Sequence, residues 1–147
     1  MKRRDFIRLS VASAGASLIA PAITLANNNL ADDDNKQSTS RDIYYTKEAP
    51  GRWAGKVATH LPVIESTKAE GKTTVKVVTP HEMKGYEHYI VKHVLLDKNY
   101  KFIDEHLFDP TKDNAAVSTF TLTNYSGTVY ALSMCNKHDL WLNSATV

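Results

Sequence analysis

The chain of 147 residues has a single cysteine, Cys135, and lacks any long run of apolar residues. One cysteine cannot form a disulfide within the chain, so its thiol is buried, pairs with another chain or takes part in chemistry. The longest mildly apolar stretch, residues 9–26, is too short and too rich in small polar residues for a stable membrane span. Basic and acidic side chains number 18 and 16, and no concentrated basic face indicates nucleic-acid binding.

The first residues carry the paired arginines Arg3 and Arg4, followed by Phe6 and Ile7. A cationic head before a weakly apolar stretch is typical of a twin-arginine export signal over residues 1–26. An uncleaved amphipathic N-terminus is the alternative. We expect cleavage after Ala22 or Ala26, with Ala26 favoured, and a periplasmic protein whose partners include the export machinery for folded proteins.

After residue 26, 121 residues remain, which is enough for one compact domain. The signal holds four basic side chains and one acidic one, so the +2 of the whole chain becomes −1 for the mature part. Residues 27–47 are rich in Asn, Asp and Ser and predict a flexible linker, although Ile43, Tyr44 and Tyr45 could dock onto the domain. The domain itself is expected over residues 48–147.

Short alternating segments separated by Gly, Pro and Asn turns predict strands, and no helical period or internal repeat is present. The pattern predicts an all-β, immunoglobulin-like antiparallel β-sandwich of about seven strands. The segment 89–96 is apolar on both faces and should be a central strand. The pattern predicts one short strand that starts at Val63 and further strands over residues 73–78, 89–96, 100–106, 117–123 and 128–134. The last of these strands delivers Cys135.

Five side chains suited to metal binding fall in predicted loops or at strand ends, where they can converge. Cys135 and His138 share a turn, and Pro62 places His60 on a loop or sheet edge. His81 and His88 lie near the two ends of the loop between two strands. His93 and His106 fall inside strand patterns and are interpreted as core or surface histidines. The candidate metal ligands are therefore His60, His81, His88, Cys135 and His138.

Three blocks of the sequence carry a family resemblance. They are residues 59–65 (THLPVIE), 80–90 (PHEMKGYEHYI) and 130–141 (YALSMCNKHDLW). In this order they resemble the superoxide reductase family, the iron domain of neelaredoxin and desulfoferrodoxin, over the chain from about Gly51 to its end. The cysteine-rich rubredoxin-like domain of desulfoferrodoxins is absent from this sequence, so the resemblance is to the one-iron, neelaredoxin-like type.

The resemblance implies one Fe²⁺/Fe³⁺ ion per chain, held by the four imidazoles of His60, His81, His88 and His138 in a square plane. Cys135 would be the axial thiolate, with the sixth position open. The implied activity is reduction of superoxide to hydrogen peroxide, without release of oxygen. An external electron donor, a small redox protein, would re-reduce the iron. The resemblance, together with the edges of the predicted sandwich, also implies a homo-oligomer.

The sequence departs from the family pattern in two places. Glu and Lys usually precede the first histidine, where this chain has Ala58 and Thr59, so a cation that attracts superoxide is missing. Lys56, Lys84 and Lys137 are near ligands in sequence. Lys137, between two ligands, is the predicted substitute, unless it simply points into water.

The second departure is Asp139, in place of the usual glycine. Aspartate tolerates a left-handed turn, and its carboxylate could tune a histidine or repel superoxide. Trp141, two residues further on, is expected to be a core aromatic.

Two other functions stay open at this point. One is an exported copper electron carrier, but such sites usually add a Met after the Cys-x-x-His pair. Here Leu140, Trp141, Leu142 and Asn143 follow, while Met134 precedes the cysteine on the opposite face of the strand. The other is a non-catalytic metal or sulfur-carrier module in which Cys135 is a reactive thiol.

Overall fold

The computed structural model describes residues 42–147; the predicted signal over residues 1–26 and residues 27–41 of the predicted linker lie outside the described residues. A 3₁₀ turn, Gly51–Lys56, leads into a four-residue helix α1, Val57–His60. Seven strands follow in chain order: β1 Val63–Ala69, β2 Lys72–Glu82, β3 Ile90–Leu96, β4 Phe102–Leu107, β5 Ala115–Thr123, β6 Thr128–Cys135 and β7 Asp139–Thr146.

The strands form two antiparallel sheets, which confirms the predicted all-β sandwich. One sheet has the order β1-β2-β5 and the other β4-β3-β6-β7. Strand β3 lies between β4 and β6, as its apolar character on both faces predicts. No helix among residues 42–147 is long and apolar enough to cross a membrane.

The prediction that the chain's last strand delivers Cys135 was wrong, because β7 follows it. Strand β7 pairs with β6 along its whole length, from Cys135↔Asp139 to Thr128↔Thr146. Its sequence alternates only weakly, since Trp141 and Leu142 are both buried next to each other. As predicted, Trp141 is fully buried in the core.

Two predicted loop positions differ in the structure. His60 ends helix α1 rather than lying on a loop or sheet edge, because the chain turns helical for one turn before Pro62. His81 belongs to β2, which continues past Pro80. This is possible because β1 pairs with β2 only as far as Val78, and the β2–β5 register shifts between Thr79 and Glu82. A proline in such a bulge leaves no ladder hydrogen bond unmade.

The core between the sheets has three layers. A distal apolar cluster fills one end, and a proximal cluster around Ile90, Phe108 and Cys135 fills the other. Between them lies a polar layer of four buried side chains joined by hydrogen bonds of 2.8 Å: Thr79, His93, Ser118 and Ser133. The distal cluster comprises Val75, Val77, Leu95, Phe120, Leu122, Val129, Ala131 and Val147.

Of the three residues that could dock onto the domain, Tyr45 does so. Its backbone forms a parallel bridge to Trp141, with hydrogen bonds of 2.8 Å to Leu140 and Leu142. The ring of Tyr45 is 1% exposed and lies 5.7 Å from that of Trp141, whereas Ile43 is exposed. The residues just before the sandwich are therefore held on the outer edge of β7.

Candidate metal centre

His60 is aimed by the end of helix α1. Its side chain is buried, and its Nδ1 lies 3.2 Å from the Lys56 carbonyl and 2.8 Å from the Thr59 hydroxyl. The Lys56 carbonyl can only accept a hydrogen bond, so the proton sits on Nδ1 of His60. The lone pair of Nε2 is then free to face the centre, as in metal sites where a ligand histidine is oriented through its other nitrogen.

His81 and His88 come from the two ends of one tight loop. His81 is the inward-facing residue near the end of β2, and His88 closes the loop through an isolated bridge with Lys84. The amide of Lys84 donates to the His88 carbonyl at 2.8 Å, and Gly85 supplies a positive φ of 55°. The loop therefore returns on itself and places both imidazoles at one end of the sandwich.

Cys135 ends β6, and His138 lies in the turn that connects β6 to β7, so the Cys-x-x-His pair closes the end of one strand as its spacing predicts. The Asn136 side chain ties this turn to the neighbouring loop: its Oδ1 accepts from the Tyr89 amide at 3.0 Å, and its Nδ2 donates to the carbonyls of Tyr86 and Glu87. The Lys137 amide donates to the Cys135 sulfur at 3.4 Å. The two ligand-bearing loops are thus locked to each other.

The structure brings all five predicted ligands together. Their donor atoms lie within 4.8 Å of one another. Nδ1 of His138 is 2.9 Å from Nε2 of His60 and 3.0 Å from Nε2 of His88, which is in turn 3.0 Å from Nε2 of His81. The four nitrogens therefore form a ring in the order His60, His138, His88, His81.

These distances suit one metal ion. A square with sides of this length has its centre roughly 2.1 Å from each corner, which is the usual distance from a metal to an imidazole nitrogen. The sulfur of Cys135 is 3.7 Å from His81 Nε2 and 3.6 Å from His138 Nδ1, which are opposite corners of the ring. Four imidazoles and one thiolate are donors that suit iron.

Burial sets the protonation of the ligands. The pKa values of His60 and of His81 are lowered to about 4, with burial as the largest cause and the charges of nearby histidines as a smaller one. Burial also lowers the pKa values of His88 and His138. At neutral pH the four imidazoles therefore keep their lone pairs available for a metal. Burial raises the pKa of the Cys135 thiol, so a positive charge in the ring would be needed to stabilise its thiolate.

The charges of three lysines act on this ring. After burial, the charges of Lys137, Lys56 and Lys84 are the next causes of the lowered pKa of His88. The Lys84 ammonium pairs with Glu82 at 3.0 Å, and the Lys137 ammonium lies 3.8 Å from Glu87. No ion pair of Lys56 occurs within residues 42–147.

His93 and His106 lie outside the ring, as interpreted from their strand patterns. His93 is fully buried in the polar layer, and His106 is exposed on β4. What sequence reasoning missed is the surroundings of His138. Trp53 packs edge-on against its ring at 4.7 Å, and the Trp141 indole donates to its carbonyl at 2.9 Å.

Asp139 adopts the left-handed conformation that aspartate tolerates, with φ of 62°. Its carboxylate accepts hydrogen bonds from Arg52 and Trp53. These bonds lower the Asp139 pKa, with Trp53 as the largest cause. Contacts across more than 80 residues leave no signal in a single sequence.

A β-sandwich that gathers four imidazoles and one thiolate at one end defines a mononuclear metalloprotein. The chain belongs to the desulfoferrodoxin family, whose profile matches residues 52–144. The matched segment contains all five ligands. Among curated proteins, none matches the sequence.

Solved structures agree with this assignment. A single-residue variant of the superoxide reductase (neelaredoxin) from Ignicoccus hospitalis is 30% identical, with a TM-score of 0.61, over 71% of this chain and 93% of that one. A superoxide reductase in the oxidised state is 28% identical, with a TM-score of 0.57, over 74% and 98%. A variant superoxide reductase (neelaredoxin) from Archaeoglobus fulgidus in the reduced form is 29% identical, with a TM-score of 0.52, over 60% and 89%.

Proposed function

We propose that this protein is a superoxide reductase that converts superoxide to hydrogen peroxide at a mononuclear iron centre and is re-reduced by an external electron donor. The observation that carries the proposal is the ring of four imidazole nitrogens with the Cys135 sulfur beside it. Iron held by His60, His81, His88, His138 and Cys135 supplies one-electron redox chemistry at this end of the sandwich.

The residues around the ring perform the remaining tasks. Lys56 fixes the orientation of His60 through its carbonyl, and Asn136 holds the His88 loop against the Cys135 turn. The lysines create a positive potential at the exposed side of the ring, which favours approach of an anion such as superoxide. These groups compensate for the cation that Thr59 does not provide.

Lys137 stays our proposed substitute for the family lysine. Its position between two ligands and its charge acting on His88 support this assignment. Its side chain is half exposed, and the Glu87 carboxylate at 3.8 Å offsets part of its charge. Lys56, without an ion pair in the described chain, is therefore the comparison residue in any test.

The donor set argues against a copper electron carrier. Such a site would use two histidines, one cysteine and a weak axial methionine, whereas four histidines form the ring here. Met83 packs in the proximal cluster, and its sulfur accepts from the Ile90 amide at 3.5 Å.

Metal analysis with a visible spectrum tests the proposed function. We expect about one iron per chain and a thiolate-to-iron charge-transfer band on oxidation. Cys135→Ser should remove the band, and His88→Gln should lower iron content, whereas His106→Gln, a histidine outside the ring, should change neither. Stopped-flow mixing with superoxide should yield peroxide without oxygen. Full occupancy by copper or zinc without iron would refute the proposal.

We also propose that residues 1–26 direct export to the periplasm by the twin-arginine route, with removal after Ala22 or Ala26. The paired arginines Arg3 and Arg4 before a weakly apolar stretch support this. Replacing both arginines by lysine should leave the uncleaved precursor in the cytoplasm. N-terminal sequencing of the periplasmic form should identify the cleavage site, and normal export of the lysine variant would contradict the proposal.

We propose in addition that the protein is a homo-oligomer. The edge strand β4 supports this, since Phe102 and Leu107 on it are 56% and 63% exposed. Such apolar side chains on a sheet edge favour association. Light scattering of the mature protein should give a mass that is a multiple of the monomer mass, and Leu107→Glu should reduce it. A monomer at micromolar concentration would contradict this.

A further inference from the structure

Asp139 occupies a strained position directly after the ligand His138. Its φ of 62° is left-handed, a conformation that glycine adopts freely and that costs other residues energy. Aspartate tolerates it best when its short side chain finds hydrogen-bond partners. The hydrogen-bond partners of the Asp139 carboxylate therefore indicate what this residue does at the site.

Both partners of the carboxylate come from the 3₁₀ turn before His60. Oδ2 of Asp139 accepts a hydrogen bond from Trp53 Nε1 at 2.8 Å and pairs with the Arg52 guanidinium. The Arg52 guanidinium also lies 5.1 Å from the centre of the Trp53 ring. The negative charge of Asp139 is thus compensated, and its side chain is engaged with the 3₁₀ turn.

The indole held in this way packs against a metal ligand. The Trp53 ring meets the His138 imidazole edge-on, with centroids 4.7 Å apart and an interplanar angle of 88°. His60 and His88 border the same imidazole at 4.6 and 4.8 Å. Within residues 42–147, Nε2 of His138 makes no hydrogen bond, unlike Nδ1 of His60, so this outer side of the imidazole is oriented by packing against Trp53.

We propose that Asp139 is a positioning residue that, with Arg52 and Trp53, forms a clamp fixing the orientation of His138. The clamp also ties the segment that leads to His60 to the turn that carries Cys135. It rests on the metal centre proposed above. Asp139 thus holds the Trp53 indole against His138, and this packing takes the place of the hydrogen bond that usually orients a ligand histidine.

A glycine variant separates this role from a purely structural one. Asp139→Gly removes the hydrogen bonds of the clamp but also relieves the left-handed strain, so the two effects on stability oppose each other and the denaturation midpoint of the metal-free protein should change little. Metal affinity should nevertheless fall roughly tenfold to a hundredfold, as it does when groups that orient ligands are lost. Affinity and stability should therefore move independently, which a structural role does not predict.

The matched controls follow from the same geometry. Asn124→Gly also replaces a left-handed residue, with φ of 51°, in an exposed turn at the opposite end of the sandwich, and it should leave metal affinity unchanged. Asp139→Asn keeps an acceptor for Trp53 and should lose less affinity than Asp139→Gly. Trp53→Phe keeps a ring edge but loses the indole N–H. Its metal affinity should lie between those of Asp139→Asn and Asp139→Gly.

The experiment titrates each metal-free protein with Co²⁺ against a competing chelator, following the thiolate-to-cobalt absorption. We expect a Co²⁺ dissociation constant about tenfold or more higher for Asp139→Gly, with a shifted absorption band. An Asp139→Gly protein with wild-type affinity and spectrum would overturn the clamp while leaving the metal centre intact. A wild-type chain that binds neither Co²⁺ nor iron would overturn both the clamp and the proposed function.

Discussion

His93 should make the stability of this sandwich depend on pH in a way that one substitution can isolate. The imidazole is fully buried between the sheets, with Nε2 2.8 Å from Thr79 Oγ1 and Nδ1 2.8 Å from Ser118 Oγ. Burial, and then the charge of His106, lowers its pKa from 6.5 to about 4. The folded protein therefore keeps His93 neutral at a pH where the unfolded chain protonates it.

The direction in which stability changes with pH follows from the number of protons that the folded and unfolded states bind. Between about pH 6.5 and pH 4 the unfolded chain binds more protons at this position, so stability falls as the pH is lowered. A shift of this size corresponds to about 3 kcal/mol when the pH is below both pKa values, and to about 2.5 kcal/mol between pH 7.5 and pH 4.5. Above pH 6.5 the contribution of His93 no longer changes with pH.

His93→Gln removes this proton but keeps a polar side chain. At pH 7.5 we expect the variant to be less stable than the wild type by roughly 1–3 kcal/mol, because buried hydrogen bonds are lost. That difference should shrink by about 2.5 kcal/mol at pH 4.5. The other buried histidines titrate equally in both proteins, so they cancel in the difference.

Urea unfolding of both metal-free proteins, followed by circular dichroism from pH 4.5 to pH 7.5, measures the effect. His106→Gln is the control, since this exposed histidine lies opposite His93 in the β3–β4 pair and its replacement should change stability by about 0.5 kcal/mol or less. If the free energies of unfolding of His93→Gln and of the wild type change equally with pH, His93 is not held neutral in the folded protein.

Three further predictions concern the site and the edge of β7. Lys137→Ala should slow the second-order reaction with superoxide by roughly three- to tenfold and flatten its salt dependence; if Lys56→Ala alone does so in stopped-flow traces, the role belongs to Lys56. Trp141→Phe removes the indole hydrogen bond to the His138 carbonyl and should cost about 1–3 kcal/mol in denaturant unfolding. Tyr45→Ala should cost roughly 3 kcal/mol, and an unchanged midpoint would show that this segment does not stabilise β7.

Strong alternation made most of the sandwich predictable from the sequence. Strand β5 buries every second residue, and so does β6 as far as Cys135. The ligand set was predictable because a lone cysteine and four histidines fell in predicted loops or at strand ends, in the order typical of one family. The polar layer was missed, although Ser118 and Ser133 at inward positions on two strands could have indicated it.

The remaining features depend on packing that local sequence does not encode. Four residues ending in His60 are too few to show a helical period, and Pro80 indicated a break where a register shift lets β2 continue. The partners of Asp139 lie 86 and 87 residues away in the chain. Such contacts exist only after the sheets have assembled.

The ligands come from separate segments of the chain, so metal binding would also affect the stability of the fold. His81 belongs to the three-stranded sheet and Cys135 to the four-stranded sheet, so one ion would cross-link both sheets at a single end. Binding would suppress local opening there, because an ion that binds only the closed form stabilises it by mass action. Hydrogen exchange should then slow around the ligand loops while the turns near Gly71 and Asn124 exchange as before. The availability of metal would therefore determine how often this end of the sandwich opens.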